Sequence, residues 1–347
     1  MDITLASDAD QKVWDEIVKS SPQGTLFHTW KWLKIMEKHN FTKMASGIHK
    51  AQLYPIMVKM ENDLIGLMPI FIYNTPFVKM ACSPAFGVEN AYLGPILNNF
   101  LTLRSHRKQV LFYQFHNEVD NYLKTKMNVN YVTIHSSPGL SDPRPYIWSD
   151  YQVLPQYTYF IDLKQGKKII WDNFSRTLKQ DINKVKKKGI YVEIGSKKYV
   201  ENIFGLLKKR NRVFSNIDYI LEIFDNFEST NLKVFVAKHE NEFLSGVVTI
   251  SYKNKVSLWI GTPRNSYNGT TPNTLIYWEA INWAIENGYE YFEIIGASDI
   301  KYFMFKSKFN AELIPYYILK WYSPWLKFGK TIQQLFKQKT TEKYYFD

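Results

Sequence analysis

The chain has 347 residues, a net charge of +12, a hydrophobic share of 45% and one cysteine, Cys82. That length exceeds what a single core usually organises, the composition excludes a disordered chain, and a lone cysteine excludes an internal disulfide and points to a reducing compartment. The basic balance favours anionic partners, but lysine outnumbers arginine, the residue that base-specific readers use, so sequence-specific DNA binding is not expected. Apolar stretches such as "LIGLMPIFIY" are too short to span a bilayer, and the acidic N-terminus "MDITLASDADQKVWDEI" has no signal-peptide core. The expected location is the cytoplasm.

In chain order, "DADQKVWDEIVKS" has a helical pattern with Val13, Trp14, Ile17 and Val18 on one side, and "TWKWLKIMEKH" a second, with Trp32, Leu33, Ile35 and Met36. Strand-like runs follow, "AQLYPIMVKM", "DLIGLMPIFIY", "PFVKMACS" and "AYLGPIL", separated by turn residues. "RKQVLFYQFHNEVDNYLKTKM" is a long helix with Val110, Phe112, Tyr113, Val119 and Leu123 as its apolar positions, and "NVNYVTIHSS" returns as a strand. Beyond a join at "RPYIWSDYQVLPQYT" the plan repeats: strand "YTYFIDL", one helix over "KIIWDNFSRTLKQDINKVKKKG" ended by Gly189, strand "IYVEIGS" and helix "KYVENIFGLLKKRNRVF". "LKVFVAKHENEFLSGVVTISYKNKVSLWIGTP" reads as three antiparallel strands. "TPNTLIYWEAINWAIENG" is a helix with Thr271 as N-cap, Pro272 in its first turn and Gly288 at its stop, and strand "YEYFEIIGAS" comes directly after it.

The chain resembles the FemAB family of tandem-GNAT peptidyltransferases, within the GNAT acyltransferase superfamily. The matching segments are "GTLFHTWKWLK", "YLGPI", "DPRPYIW", "NFSRTLKQDINKVKKKGI", "LSGVVTISYKNKVSLWIGT", "PNTLIYWEAINWAIENGYEYFEIIGAS" and "FMFKSKF", in order over nearly the full chain. The final Phe-Lys-x-x-Phe is the most telling of them. The resemblance implies an α/β (α+β) protein of two tandem GNAT-like domains, each a mixed, mostly antiparallel twisted sheet flanked by helices. The expected spans are 1–150 and 151–322, followed by a tail, 323–347.

It also implies chemistry. A neutral amine attacks an activated carbonyl, and the resulting oxyanion needs donors already aimed at it. A GNAT sheet supplies them where two neighbouring strands splay, here "KVSLWIGT" and "YEYFEIIG". Phe305 and Lys306 match the family's Phe-Lys pair near the reacting groups, with Asp299, just after "GAS", as a candidate base; the alternative for Lys306 is a lysine snorkelling over an apolar edge. Trp259 on the splayed strand, Arg264, Tyr267 and Asn273 around the following loop, and His28 and Trp32 are candidate substrate contacts, with core packing the competing role for the tryptophans. Asp142 and Arg144 are read either as binders across the interdomain cleft or as a pair pinning a linker. Arg176, with Lys184, Lys186, Lys187 and Lys188, makes a basic helix suited to phosphates, or simply a solvated face.

The resemblance thus implies an acyl- or aminoacyltransferase forming an amide on a cell-envelope or amino-sugar precursor; the alternatives are an acyl-CoA-dependent N-acyltransferase of surface polysaccharide synthesis and a non-catalytic binding protein on the twin fold. Its partners would be tRNA and a small-molecule or lipid-linked amine, with no tightly bound cofactor. The donor is aminoacyl-tRNA or acyl-CoA. Cofactor-binding GNAT enzymes place an Arg/Gln-x-x-Gly-x-Gly/Ala loop before the central helix, whose N–H groups hold pyrophosphate. "PRNSYNGTTPN" keeps Arg264 and Gly269 but lacks the paired glycines, which disfavours acyl-CoA. Some Fem enzymes also carry an acid shortly after the first domain's Gly-Pro, where this chain has Asn98, which puts a peptidoglycan precursor in doubt. The sequence has no His-Glu-x-x-His, cysteine pair or Gly-x-Ser-x-Gly, so no metal is expected. Lastly, "SPWLKFGKTIQQLFKQK" reads as a basic amphipathic helix, Trp325, Phe328, Ile332 and Leu335 on one side, suited either to packing or to weak contact with the inner membrane face.

Overall fold

Long apolar strands form the middle of each half of the chain, because side chains packed on both faces suit unbroken runs of Ile, Val, Leu and Phe. The structure, a computed structural model, describes residues 1–44, 46–98, 102–209, 216–228, 230–264, 266–298 and 300–329. The first half comprises β1 (Asp2–Leu5), α1 (Gln11–Ser20), α2 (Trp30–His39), the hairpin β2–β3 (Phe41–Met44, Gly47–Lys50), β4 (Gln52–Met60), β5 (Asp63–Asn74), β6 (Lys79–Ser83) and β7 (Ile96–Leu97). It continues through α3 (Ser105–Asn121), β8 (Tyr131–His135), α4 (Arg144–Trp148) and β9 (Gln152–Asp162). After α5 (Lys167–Asn173) and α6 (Arg176–Lys187) the second half runs β10 (Tyr191–Gly195), α7 (Lys198–Lys208), α8 (Ile217–Phe227), β11 (Leu232–His239), β12 (Glu242–Tyr252) and β13 (Lys255–Gly261). It ends with α9 (Asn273–Glu286), β14 (Tyr291–Ile294), α10 (Ile300–Lys306) and β15 (Glu312–Tyr322).

All strands except the β2–β3 hairpin join one 13-stranded sheet, ordered β1-β4-β5-β6-β8-β15-β9-β14-β13-β12-β11-β10, with β7 on β5. That order is its own mirror image. The parallel pair β6–β8 matches the parallel pair β13–β14, and both are flanked by antiparallel neighbours. The last strand of each copy crosses over: β9 pairs with β14 of the second half, and β15 returns to pair with β8 of the first. The two crossing strands also pair with each other, from Glu312 opposite Phe160 to Lys320 opposite Gln152. The fold is therefore a tandem repeat of mixed, mostly antiparallel sheet with helices on both faces.

Three apolar clusters hold it. One lies under α3 and contains Ile56, Ile70, Phe112, Val132 and Leu319; a second packs Leu178, Ile182, Ile276, Ile281 and Phe292 beneath α6 and α9. The third occupies the opposite face, where α1 and α2 of the first half meet α7 and α8 of the second, with Trp14, Trp32, Leu33, Ile203, Tyr219 and Phe224 buried together.

Several local expectations are corrected. The helix expected through Gly189 is two helices, because extended Phe174 ends the first and Ser175 caps the second, its Oγ accepting from the Leu178 N–H at 3.2 Å. Gly189 does stop α6, at φ +72°. "AYLGPIL" contributes only the short β7; the rest is a loop. α8 was not expected, although Tyr219, Ile220, Ile223, Phe224 and Phe227 keep helical spacing. The N-cap of α9 is Pro272 rather than Thr271, while Val13 and Tyr113, expected on apolar sides, are exposed. Among the described residues no helix is long and apolar enough to cross a membrane. The tail lies outside the described residues beyond 329.

Leu319 on β15 is fully buried in the first half's core although the second half carries it there. Leu319→Ala should destabilise the chain by about 2–5 kcal/mol and shift a single cooperative urea transition. Two separate transitions with only one displaced would show that the halves unfold independently.

Candidate active site

Strands β13 and β14 run parallel through Lys255–Tyr291, Val256–Phe292, Ser257–Glu293 and Leu258–Ile294 and then part. The cause is visible on the other side of β13. Its register with β12 slips between Val248 and Thr249, so that Trp259 is the extra residue of a β-bulge. A bulge bends its strand and raises its twist, carrying Trp259–Gly261 away from the end of β14. The backbone groups of Trp259–Gly261 make no ladder bond to β14, whose pairing with β13 ends at Leu258 and Ile294. This is the strand pair where the resemblance puts the splay.

α10 packs back on the end of β14. Lys306 is 7% exposed, and its ammonium donates to the carbonyl of Ile295 and, at 3.0 Å, to that of Gly296, just past the strand. It sits 4.9 Å from the Tyr302 ring centroid. Gly296 has φ +84°, and a Cβ there would lie 3.2 Å from the Lys306 nitrogen, so the turn and the lysine fit only with glycine. Lys306 is thus neither a snorkelling surface lysine nor a group held in open solvent: it ties the end of β14 to α10. Phe305 is buried, edge-on to Tyr277 of α9 at 5.2 Å and to Phe309 at 5.6 Å, and the Arg264 guanidinium lies 5.4 Å from its ring. Arg264 is thus brought beside Phe305, the neighbour of Lys306. Asp299 lies outside the described residues.

The loop before α9 is folded on itself. Tyr267 and Thr270 exchange backbone hydrogen bonds at 2.9 Å, and the Lys184 ammonium donates to the Gly269 carbonyl at 3.0 Å. Pro272 has no N–H, while the N–H groups of Thr274, Leu275 and Ile276 are bonded to Thr271 and Pro272 carbonyls. The N–H groups of Tyr267 and Thr270 are thus already used within the loop. Tyr267 Oη bonds His239 Nδ1 at 3.1 Å, and buried Asn273 donates to the Thr262 carbonyl at 3.3 Å. Arg176 is exposed at the start of α6.

A second concavity, about 510 Å³, opens between the halves around the other end of β13 and β14. Phe160, Tyr252, Lys255, Ser257, Tyr291 and Glu293 line it from the sheet, and Lys19–Phe27, Tyr92 and Ser137–Gly139 from the first half. Glu293 is fully buried. It accepts from Tyr92 Oη at 2.6 Å, Thr158 Oγ1 at 3.0 Å, Ser257 Oγ at 2.7 Å and Lys255 Nζ at 2.7 Å. Burial raises its pKa, but the Lys255 ammonium and the hydroxyl donors outweigh that and leave it lowered. A carboxylate so engaged is a poor proton acceptor; it is a paired, structural group. Lys253, on the turn before β13, has an exposed stem, but its ammonium is drawn against the Ser21 and Gly24 carbonyls. That burial, with repulsion from Lys255, lowers its pKa to about 8.

The remaining expected contacts serve packing. Trp32 donates to Tyr219 Oη at 3.0 Å and Asn90 Oδ1 at 3.2 Å, and stacks edge-on against Trp259 at 5.2 Å, whose own N–H goes to the Glu89 carbonyl at 2.6 Å. His28 is fully buried with Nδ1 facing the Thr25 N–H and hydroxyl, and burial drops its pKa to about 3, so it stays neutral. Asp142 and Arg144 bond each other at 2.8 Å, and Arg144 reaches Gln109 of α3 at 2.9 Å, a local pair rather than part of the cleft lining. Tyr92, Lys253 and Lys255 were missed by the sequence reading. The legible signal was Lys255-x-Ser257 and Glu293, polar residues at alternate positions of otherwise apolar strands.

Residues 176–306 match the family model described as an acetyltransferase (GNAT) domain. The fold is that of a FemAB-like tandem GNAT protein. FemX is similar over 91% of this chain and 97% of its own, at a TM-score of 0.64 and 12% identity. A tandem GNAT protein from the clavulanic acid biosynthesis pathway is similar over 92% and 97%, at 0.51 and 9%. The C-terminal domain of a putative lysylphosphatidylglycerol synthetase from Agrobacterium fabrum is similar over 90% and 92%, at 0.50 and 15%. No curated protein matches the sequence. In this tandem GNAT chain the second half carries both the matched domain and the splay.

Glu293 supplies a sign-defined test. Its pKa is below the ordinary 4.5, so its contribution to stability is present above pH 4.5 and is lost as pH falls through the lowered value. Glu293→Gln should cost about 3–5 kcal/mol near neutrality by leaving Lys255 uncompensated. It should also flatten the acid limb of a stability–pH curve measured by urea unfolding. An acid limb identical to wild type would remove Glu293 from that role.

Proposed function

We propose that this tandem GNAT protein is an N-acyltransferase that moves an aminoacyl group from aminoacyl-tRNA to an amine of a cell-envelope or amino-sugar precursor. The observation that carries the choice of donor is the loop before α9. Its Tyr267 and Thr270 N–H groups are spent on each other's carbonyls and the Lys184 ammonium sits on the Gly269 carbonyl, while α6 beside it presents Arg176 and Lys187 to solvent. Such a surface suits the phosphates of a nucleic acid backbone more than a buried pyrophosphate nest. The fold likeness to FemX supports the same reading.

In this mechanism the ester carbonyl lies in the splay beside Trp259–Gly261, where backbone donors face the developing oxyanion. The neutral amine attacks, the C–N bond forms, and the C–O bond to the tRNA ribose breaks. The proton lost by nitrogen ends on the departing ribose oxygen, so the net reaction needs no further acid or base. Positioning two substrates supplies much of the acceleration. Lys306 acts on the geometry: by holding the Ile295 and Gly296 carbonyls it keeps the end of β14 apart from β13. The cleft lined by Tyr92, Lys253 and Tyr291 is the proposed berth of the acceptor, reached between the halves.

Arg264 and the left-handed Gly269, φ +69°, favour acyl-CoA as the rival donor. The donors separate in one assay. Labelled aminoacyl-tRNA offered with amine-bearing envelope precursors should give labelled amide, whereas acyl-CoA offered with the same amines should release no free thiol. Thiol release without transfer from tRNA would overturn the proposal in favour of the rival.

A second test concerns Lys306. Lys306→Met should lower kcat by roughly a hundredfold or more by letting the splay relax. It should also lower stability by about 1–3 kcal/mol, since two buried carbonyls lose a donor. Lys306→Arg, which keeps the charge and donors, should recover part of both. Wild-type turnover in a folded Lys306→Met protein would make the lysine structural only.

A further inference from the structure

At the far edge of the first half, three segments distant in sequence converge on an apolar groove of about 650 Å³. Met44 and Ser46 come from the β2–β3 hairpin, Thr75, Phe77, Val78 and Met80 from the β5–β6 turn, and Tyr322, Trp325, Leu326 and Gly329 from the end of β15 and the helical turn over 324–329. Its lining is open to solvent at two aromatics, Phe77 at 80% exposed and Trp325 at 52%, and Phe328, 70% exposed, lies on the same helical turn as Trp325. Scattered apolar residues on a surface need no explanation, but bulky exposed aromatics at and beside one groove do.

The charge around it is one-sided. The sequence contains no Asp or Glu between Lys38 and Met60, between Leu64 and Val88, or between Leu313 and Gln338. The three converging segments therefore bring no carboxylate of their own, the acid beside them being Asp150, which pairs with Lys327 of the helical turn, while Lys43 and Lys50 stand exposed on the hairpin and Lys79 lies half-buried between Val78 and Met80. Aromatic tips flanked by lysines are complementary to a surface that is apolar beneath an anionic layer.

We propose that this face docks on an anionic lipid bilayer, with Phe77, Trp325 and Phe328 entering the headgroup boundary and Lys43, Lys50 and Lys79 facing acidic headgroups. The aromatics give residence, because each buries apolar ring area while tolerating a polar border. The lysines give selectivity for anionic lipid, at roughly five-fold in binding per lysine, weakened by salt. The proposal is independent of the acyl-transfer reading, since its readout is lipid binding alone.

The test is co-sedimentation of the full chain with vesicles of phosphatidylcholine, pure or mixed with phosphatidylglycerol, at low and high salt. Wild type should pellet with the mixed vesicles at low salt and be released by high salt. The triple variant Phe77→Ser, Trp325→Ser, Phe328→Ser should lose roughly tenfold or more of that binding with an unchanged thermal transition. Lys43→Gln, Lys50→Gln, Lys79→Gln should lose the preference for phosphatidylglycerol. Wild type remaining in the supernatant, or the aromatic variant pelleting like wild type, would overturn the proposal. So would sedimentation velocity showing a wild-type dimer that the aromatic variant abolishes, because the face would then be filled by a second copy.

Discussion

The antiparallel ladder between β9 and β15 is the constraint on which the rest of the molecule rests. Each strand belongs by sequence to one copy of the repeat and by hydrogen bonding to the other. Neither copy can complete its sheet alone: without β15 the β8 edge is bare, and without β9 the β14 edge is. An uncovered edge strand presents unpaired N–H and C=O groups whose burial is costly. The exchange therefore makes one cooperative body from two copies, and holds the inter-half cleft and the splay in a constant relation.

Burial on the other face reinforces that relation. The helices α1, α2, α7 and α8 share a core, and polar groups stitch across it: Trp32 to Tyr219, Trp259 to the Glu89 carbonyl, and Glu293 to Tyr92. A buried ion pair such as Lys255–Glu293 contributes little net stability over an apolar replacement, because desolvation opposes the attraction. Its effect here is specificity. Only one register of β14 against β13 and β9 lets a single carboxylate meet Lys255, Ser257, Thr158 and Tyr92 together. That register in turn sets where the strands part, which is one residue beyond Glu293.

The geometry proposed for acyl transfer is thus made from backbone more than from reactive side chains. A bulge at Trp259 displaces the end of β13, and Gly296 and Lys306 tie the end of β14 to α10. Such a site needs rigidity first, since donors aimed at an oxyanion act only if they are already in place. The lysine that the sequence singled out serves this rigidity rather than standing free in the opening.

Local pattern was enough to read most elements. The apolar runs of β4, β5, β11 and β12, the amphipathic α1, α2 and α9, and the Gly189 stop are short-range signals carried by neighbouring residues. Order along the chain was enough for the repeat and for the splayed pair, and it brought Arg264 beside Phe305, the neighbour of Lys306. What only the tertiary structure decided depends on contacts between distant segments. The exchange of β9 and β15 leaves no local mark, because a strand's periodicity does not say which edge it joins. The parting of β13 from β14 comes from a register slip against a third strand. Trp32 and Asn273 looked like contacts for a substrate by residue type, yet their partners, more than ten residues away or across the two halves, turn them inward. The cleft of Tyr92, Lys253 and Glu293 exists only because residues some two hundred positions apart are packed within hydrogen-bond reach, a separation that no local periodicity encodes.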